Sequence, residues 1–390
     1  MIGLVVAREP PASARRVAGM SVPLRALLAL QAAGFESLGF YGEHAAAWVA
    51  LARADDRVRA PLTAWQSVPV DDHVAVSGEL AIDAKTARAL RVKPGARFIG
   101  RDVVAVHRAR VHDGHPLDDT GDGALAEGDG VAVLVRDDAS ARRAESLLLE
   151  SLRKPQDGIV SRAINRSLSL RVTRVLARTD LRPNQLSVGI LAFGALGAVG
   201  AAGGSYASMA LGGLCFQIQS VLDGCDGELA RLTFRGSRAG EWIDTLGDDF
   251  TNYGFFAGAA WGLHRAGLGA LPLVLGAVGV GAGLVASLTE YRYLLRIGSG
   301  DLLKYPLGFG ADPDASGDAD KGVKRLLGMA RPLFKRDFFV FATMIATVAG
   351  AWATLVMLGA FAVGACLTLI AVLRSEWSRR GVTPGQESAR

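Results

Sequence analysis

Residues 183–222 read PNQLSVGILAFGALGAVGAAGGSYASMALGGLCFQIQSVL and contain no Asp, Glu, Lys or Arg. A core helix of a soluble protein does not stay uncharged for so long, whereas a run of this length holds two membrane spans of about 20 residues each. Lipid offers backbone groups no hydrogen-bond partners, so such a run is predicted to be helical. Pro183 suits a first helical turn. Gly203, Gly204 and Ser205 make an uncharged turn, after which a second span runs into Asp223. Two further uncharged runs, 266–289 and 338–373, extend the pattern. A third span is expected from near Gly240 to near Leu263 and a fourth over 266–294. A fifth and sixth fall within 338–373, turning near Leu358 and Gly359. The 48 glycines of the chain fit helices that approach closely in lipid.

Six spans put both ends of the bundle on one side, and the basic residues agree. Arg171–Arg182, Arg231–Arg238, Arg292–Arg336 and Arg374–Arg380 bound segments on one face, while the other face carries only Arg265. The positive-inside bias makes the charged face cytoplasmic, with the N and C termini there, in an integral membrane protein of the bacterial inner membrane type. The net charge of +5 is therefore a topology signal and not a nucleic-acid footprint, since no basic patch with interleaved aromatics exists. Residues 1–7 are too short an apolar stretch for a signal peptide. Cys215, Cys225 and Cys366 show no metal-ligand spacing and read as structural thiols.

The N-terminal part differs in character. Residues 2–6, 37–41, 73–76 and 131–135 are short β-branched apolar runs, and 24–33 and 85–90 are helix-like, so 1–140 is expected to be a cytosolic α/β domain. A Gly- and Asp-rich loop is expected at 113–130. Residues 141–182 form a linker and a helix, with a turn at Lys154 to Gly158. In 159–178, Val160, Ile164, Leu168, Val172, Val175 and Leu176 recur at helical spacing, with Arg162, Arg166, Arg171, Arg174 and Arg178 on other faces. This helix either lies on an anionic membrane surface or packs on the soluble domain. Residues 183–390 are the membrane domain.

Chemistry concentrates where the second span ends and the third begins. Asp223, Asp226, Gly227 and Ala230 lie at i, i+3, i+4 and i+7 on one helix face, followed by Arg231; Gly240, Asp244 and Asp248 repeat at i, i+4 and i+8 on the next helix. Four carboxylates converging at a membrane edge repel one another unless cations compensate them. All-oxygen ligands select hard ions, Mg²⁺ or Mn²⁺, and two such ions about 4 Å apart clamp a diphosphate. Gly227, Ala230 and Gly240 leave room for a nucleotide against the backbone, and Arg231 can neutralise phosphate charge. The alternative is a solvated loop in which the acids pair with Arg231, Arg235 and Arg238. Asp249 is turned about 100° from Asp248 and is expected on the helix surface. Arg292, Arg296, Lys335 and Arg336 at later span ends are candidates for an acceptor phosphate, or simply topology-setting charges.

The order Asp223, Asp226, Gly227, Ala230, Arg231, Gly240, Asp244, Asp248 resembles the signature of the CDP-alcohol phosphotransferases, with no position missing. Pro183 and Asn184 are similar to a Pro-Asn pair opening the family's first span. The resemblance implies a six-helix, often dimeric fold with a two-metal site on the cytosolic side. By position, Asp223, Asp226 and Asp244 are implied metal ligands, and Asp248 completes the site and acts as base on the acceptor hydroxyl. Asn184, Gly227, Ala230, Arg231 and Gly240 are implied to hold the CDP group. The implied reaction moves a substituted phosphate from a CDP-alcohol to a hydroxyl acceptor, with release of CMP. A transporter would place its acids in mid-span, and a dead scaffold would not keep all eight positions.

The N-terminal domain resembles a sugar-phosphate nucleotidyltransferase, a Rossmann-like α/β fold. Such enzymes carry a Gly-rich loop after the first strand, whose amides cradle a triphosphate. Here that loop reads Arg8, Glu9, Pro10, Pro11, Ala12, Ser13, Ala14, Arg15; its prolines lack donors and it has no glycine. Gly78 and Glu79 stand where a Gly-Asp pair is usual. The domain is thus expected to be degenerate rather than a working cytidylyltransferase. The fusion resembles bifunctional proteins that make CDP-inositol and transfer it to a second inositol phosphate, which favours an inositol-phosphate or glycerol-phosphate type of acceptor.

Overall fold

Ile2–Val6 are five buried residues in a row, the signature of a strand covered on both faces. In the computed structural model, which describes residues 1–69, 71–92, 95–99, 102–108, 117, 130–154, 157–306 and 335–380, they form β1. After it come β2 (Arg16–Val17), β3 (Met20–Ser21), β4 (Ser37–Tyr41), β5 (Leu62–Trp65), β6 (His73–Ser77), β7 (Leu80–Ile82), β8 (Gly95–Ile99), β9 (Asp102–Arg108) and β10 (Ala132–Leu134). Six of them make one sheet in the order β5-β4-β1-β6-β9-β8. β1 pairs in parallel with β4 and β6, and β4 with β5. β9 is antiparallel to β6 and to β8. The loop expected at 113–130 falls, except for Leu117 and Gly130, outside the described residues.

The helices of this part are α1 (Val22–Ala32), α2 (Ala45–Arg53), α3 (Ala84–Val92) and α4 (Asp138–Glu150). Pro23 sits in the first turn of α1, where its missing N–H costs nothing. α4 opens on a cap in which Asp137 accepts from the Ser140 amide at 2.7 Å. Leu27, Leu28 and Leu30 of α1, Leu38 and Phe40 of β4, and Trp48 of α2 are all buried in one core. Each such side chain contributes roughly 1.5–3 kcal/mol. From β1 the chain builds outward through β4 to β5, then returns to lay β6 on the other flank of β1. That reversal makes the carboxyl ends of β1 and β6 a topological switch point, where open α/β sheets bind ligands.

The chain divides into two units: Met1–Pro155, Leu170–Leu181 and Glu228–Arg235 in the first, and Gln156–Ser169, Arg182–Gly227 and Gly236–Arg390 in the second. A π-helical turn, Ser161–Asn165, leads into α5 (Arg166–Leu176). The remaining helices are α6 (Pro183–Ala202), α7 (Tyr206–Leu232), α8 (Arg238–Arg265), α9 (Leu271–Ile297), α10 (Arg336–Ala349) and α11 (Ala351–Arg380). Three of them, α6, α9 and α11, are long and apolar enough to cross a membrane. α7 and α8 are as long but carry the acids and arginines at their adjoining ends.

Small residues set the helix contacts. A Cβ on Gly258 would lie 2.3 Å from the Ala198 carbonyl oxygen, and one on Gly262 2.0 Å from that of Ala201, so α6 and α8 touch backbone to backbone. Stacked rings join the next layers: Phe216 on Phe255 at 4.3 Å, and Phe256 on Phe361 at 4.0 Å. The expected turn at Leu358 and Gly359 is corrected. The last apolar run breaks at Gly350, whose φ of 113° only glycine adopts readily, and Leu358 is buried inside α11. An apolar run without polar punctuation hides its turn, and the glycine nearest the midpoint was the wrong one.

Candidate active site

The cap that starts α8 also begins the site. Ser237 accepts from the Gly240 amide at 3.0 Å, so the first acid-bearing turn starts at a defined place. A Cβ on Gly240 would come 3.4 Å from Asn184 Oδ1, which puts the glycine of one helix beside the first turn of α6. From there Asp244 and Asp248 follow at one-turn intervals. Asp244 is exposed and Asp248 half-buried.

Asp223 and Asp226 lie three apart on α7. Asp226 is buried, and its two oxygens are engaged: Oδ2 accepts from the Ser187 hydroxyl at 2.6 Å, and Oδ1 from the Gly227 amide at 2.5 Å. Asp223 and Asp248 share one counter-ion. Arg336 Nη1 donates to Asp223 Oδ2 at 3.0 Å, and its Nη2 lies 2.8 Å from Asp248 Oδ1. The second contact is an ion pair without hydrogen-bond alignment, because Asp248 Oδ1 has no aligned donor and Arg336 Nε has no acceptor. Nη2 is instead directed to Gln219 Oε1 at 3.4 Å, one turn before Asp223. Asp223 and Asp244 both repel the Asp248 carboxylate, while Arg336 attracts it.

Ala230 and Arg231 are in the last turn of α7, in the segment that belongs to the first unit. Arg292 and Arg296 are exposed near the carboxyl end of α9, and Lys335 is the residue preceding α10. Asp249 departs from its expected surface role. It is half-buried and accepts from the Tyr291 hydroxyl at 2.5 Å, locking α8 to α9. The 100° turn from Asp248 points it at a neighbouring helix instead of solvent.

The sequence reading missed Ser187 and Gln219. Both are polar residues inside the uncharged run 183–222, as are Gln217 and Ser220, and all four are buried. Polar side chains in a span face the bundle interior, and that signal was available from the start.

Four carboxylates, two of them sharing one arginine, are a donor set suited to hard divalent cations. Among the described residues, no three acidic, His or Cys side chains already stand close enough together to hold an ion. The donor chemistry fits Mg²⁺ or Mn²⁺, while the cationic place between Asp223 and Asp248 is filled by Arg336.

Residues 181–301 match the CDP-alcohol phosphatidyltransferase family. The match contains every carboxylate of the two stripes. Among curated relatives, the bifunctional IPC transferase and DIPP synthase of Aquifex aeolicus is 31% identical over 225 residues, covering 58% of this chain and 45% of that protein. The protein of the same name from Rubrobacter xylanophilus is 37% identical over 159 residues, covering 40% and 34%. That from Archaeoglobus fulgidus is 36% identical over 117 residues, covering 30% and 23%. The chain thus spans less than half the length of these relatives. Among solved structures, phosphatidylinositol phosphate synthase of Mycobacterium tuberculosis with CDP-DAG bound aligns with 54% of this chain and 94% of its own, at a TM-score of 0.40 and 16% identity.

A second concavity lies in the first unit. It has a volume of about 130 Å³ and is lined by Arg8 and Glu9 after β1, Gly78 and Glu79 after β6, and Arg15 and Arg136. This is the switch point of the sheet. The loop after β1 is held by the Trp48 indole, which donates to the Glu9 carbonyl at 2.8 Å. Glu79 stands 3.7 Å from Arg136.

Proposed function

We propose that the chain transfers a substituted phosphate from a CDP-alcohol to the hydroxyl of a second alcohol, releasing CMP. The observation that carries this reading is that Asp223 of the α7 stripe and Asp248 of the α8 stripe, both inside the segment matched to the family, share one arginine. The acceptor oxygen forms the new bond at the β-phosphorus, the bridging oxygen leaves with CMP, and Asp248 takes the hydroxyl proton. Ser187 fixes the orientation of Asp226. Asn184, Gly227, Ala230, Arg231 and Gly240 hold the CDP group. Asp223, Asp226, Asp244 and Asp248 hold two Mg²⁺ or Mn²⁺ ions, which when bound draw charge from the phosphorus and the leaving phosphate.

The acceptor we infer to be a polyol phosphate of the inositol-phosphate or glycerol-phosphate type, with Arg292, Arg296, Lys335 and Arg336 as candidates for its phosphate. We read the helical part as six spans, α6 to α11, in a homodimer of the bacterial inner membrane with both termini cytoplasmic. α10, with 14 residues, is the shortest of the six. The helix before them we read as interfacial along its first turns, its Leu170–Leu181 part belonging to the first unit. Its buried face is mixed, Ser169, Leu170, Thr173 and Ala177, while Ile164, Leu168 and Val175 are exposed at helical spacing. The N-terminal domain, 1–140, we read as a degenerate nucleotidyltransferase. Its switch-point cavity is lined by arginines, but Pro10 and Pro11 remove amide donors from the loop that would cradle a triphosphate.

The test is CMP release by the purified protein from CDP-inositol, CDP-diacylglycerol and CDP-glycerol, each with an acceptor panel, in Mg²⁺ and in EDTA. Metal-dependent release from one donor is expected, and its absence from all three defeats the proposal. Pyrophosphate release from CTP and inositol phosphate would overturn the degenerate reading of the N-terminal domain and favour a bifunctional enzyme.

A further inference from the structure

Arg336 occupies an unusual position for a cation. It is the first residue of α10, at the positive end of the helix dipole, where a basic side chain is disfavoured. Its neighbour Asp337 is the better placed residue, and its carboxylate accepts from the Ser161 amide at 2.7 Å, anchoring that turn. The Arg336 side chain therefore extends from a fixed base towards Asp223 and Asp248 and bridges acids on two different helices. The bridge is incomplete. One Asp248 oxygen and the Arg336 Nε lack aligned partners, and both side chains keep more than a quarter of their surface exposed. A guanidinium bound to two carboxylates that belong together with two others, and bound to them imperfectly, is poised to be exchanged.

We propose that Arg336 is a resident counter-ion in competition with divalent cations for Asp223 and Asp248. Without metal it balances the two charges and keeps α7, α8 and α10 in register; metal entry displaces it from both carboxylates. The inference rests on the site reading above and makes Arg336 a positioning residue. It also predicts opposite effects on two quantities that a purely structural ion pair would move together. Removing the guanidinium takes away a competitor, so metal affinity rises. It also leaves the acids uncompensated, so the metal-free protein becomes less stable.

The experiment is Mn²⁺ titration of the full-length protein in detergent, followed by electron paramagnetic resonance, alongside thermal unfolding in EDTA and in saturating Mn²⁺. For Arg336→Gln, Mn²⁺ is expected to bind about tenfold tighter than to wild type, as befits losing a charge-assisted competitor. Its melting temperature should fall in EDTA and recover in Mn²⁺. Arg336→Lys, whose ammonium cannot fork across two carboxylates, should bind Mn²⁺ with intermediate affinity and covers the case in which the Gln variant does not fold. Equal or weaker Mn²⁺ binding by both variants, with wild type still binding, overturns the inference alone. Wild type that binds no Mn²⁺ overturns the metal-site reading and this inference with it.

Discussion

The two units confine charge in opposite ways. In the first, two arginines end on fixed backbone carbonyls. Arg25 is 1% exposed and donates to the carbonyls of Val17 at 3.2 Å and Leu232 at 3.1 Å, and Arg57 chelates Asp55 while reaching the Thr233 carbonyl at 3.2 Å. Burial pulls the Arg25 guanidinium down to about 10, with Arg57 adding to the pull and Glu145 opposing it, so it remains charged at neutral pH. In the second, Asp223 and Asp248 divide one arginine, and Asp248 lacks an aligned donor on Oδ1. A guanidinium seated on backbone carbonyls makes structure; one divided between two carboxylates leaves acids able to take other cations. Substitutions in the first unit should therefore cost stability, and substitutions among the acids should cost turnover.

The largest effect is expected at Asp248. Asp248→Ala removes the proposed base and one carboxylate of the repelling group, so CMP release should fall by about 10³-fold. The melting temperature in EDTA should change little, because relief of like-charge repulsion offsets the lost Arg336 contact to α8. Activity within tenfold of wild type would remove Asp248 from the chemistry and blur the contrast between the units.

Arg25→Met comes second and tests the other side. Methionine keeps much of the stem but leaves two buried carbonyls without their donor, at a cost of about 2–3 kcal/mol, softened by no longer burying a charge. Denaturant unfolding of the full chain should show this loss. CMP release per folded molecule should stay near wild type. A variant as stable as wild type would mean that the Arg25 bonds are dispensable.

Much of this contrast was legible in the sequence, and the illegible parts share a cause. The acidic stripes could be read because Asp223 and Asp226, and then Asp244 and Asp248, repeat at helical spacing within single helices, so that local geometry alone orients them. β1, β4 and β6 could be read because buried parallel strands are continuous apolar runs. Arg336 stands 113 positions from Asp223, and only the packing of α10 brings it there; its charge was visible but its partner was not. β5 escaped notice because Leu62–Trp65 is a half-exposed edge strand without strong alternation. Nothing local to Arg25 says that its guanidinium ends on the carbonyl of Leu232, 207 positions away.

Ser187→Ala sharpens the comparison at a smaller scale. The hydroxyl is the described donor to Asp226 Oδ2, and Asp226 is a proposed metal ligand, so its loss should lower the rate by roughly tenfold through a misaligned carboxylate, consistent with the worth of a bond to a charged group. Raising the Mg²⁺ concentration should restore part of the rate. A loss unmoved by metal concentration would place Ser187 in packing alone.

The smallest expected effect returns to the first unit and concerns pH. Burial pushes the Asp55 carboxyl up, but hydrogen bonds from the Arg57 side chain and backbone, with the Arg57 and Arg235 charges, outweigh it and hold Asp55 below 3.8, its ordinary value. A carboxyl depressed in the folded state binds its proton more readily when unfolded. Its contribution to stability is therefore fully present above that ordinary value and is lost as pH falls through the lower folded value. Thermal unfolding at pH 6 and at pH 3 should then show a larger acid loss for wild type than for Asp55→Asn, which has no proton to take up. The variant should be the less stable of the two at pH 6, since its amide cannot form an ion pair with Arg57. Equal acid losses would mean that the Asp55 pair is open in solution, and the contrast between a fixed Arg57 and a divided Arg336 would fail.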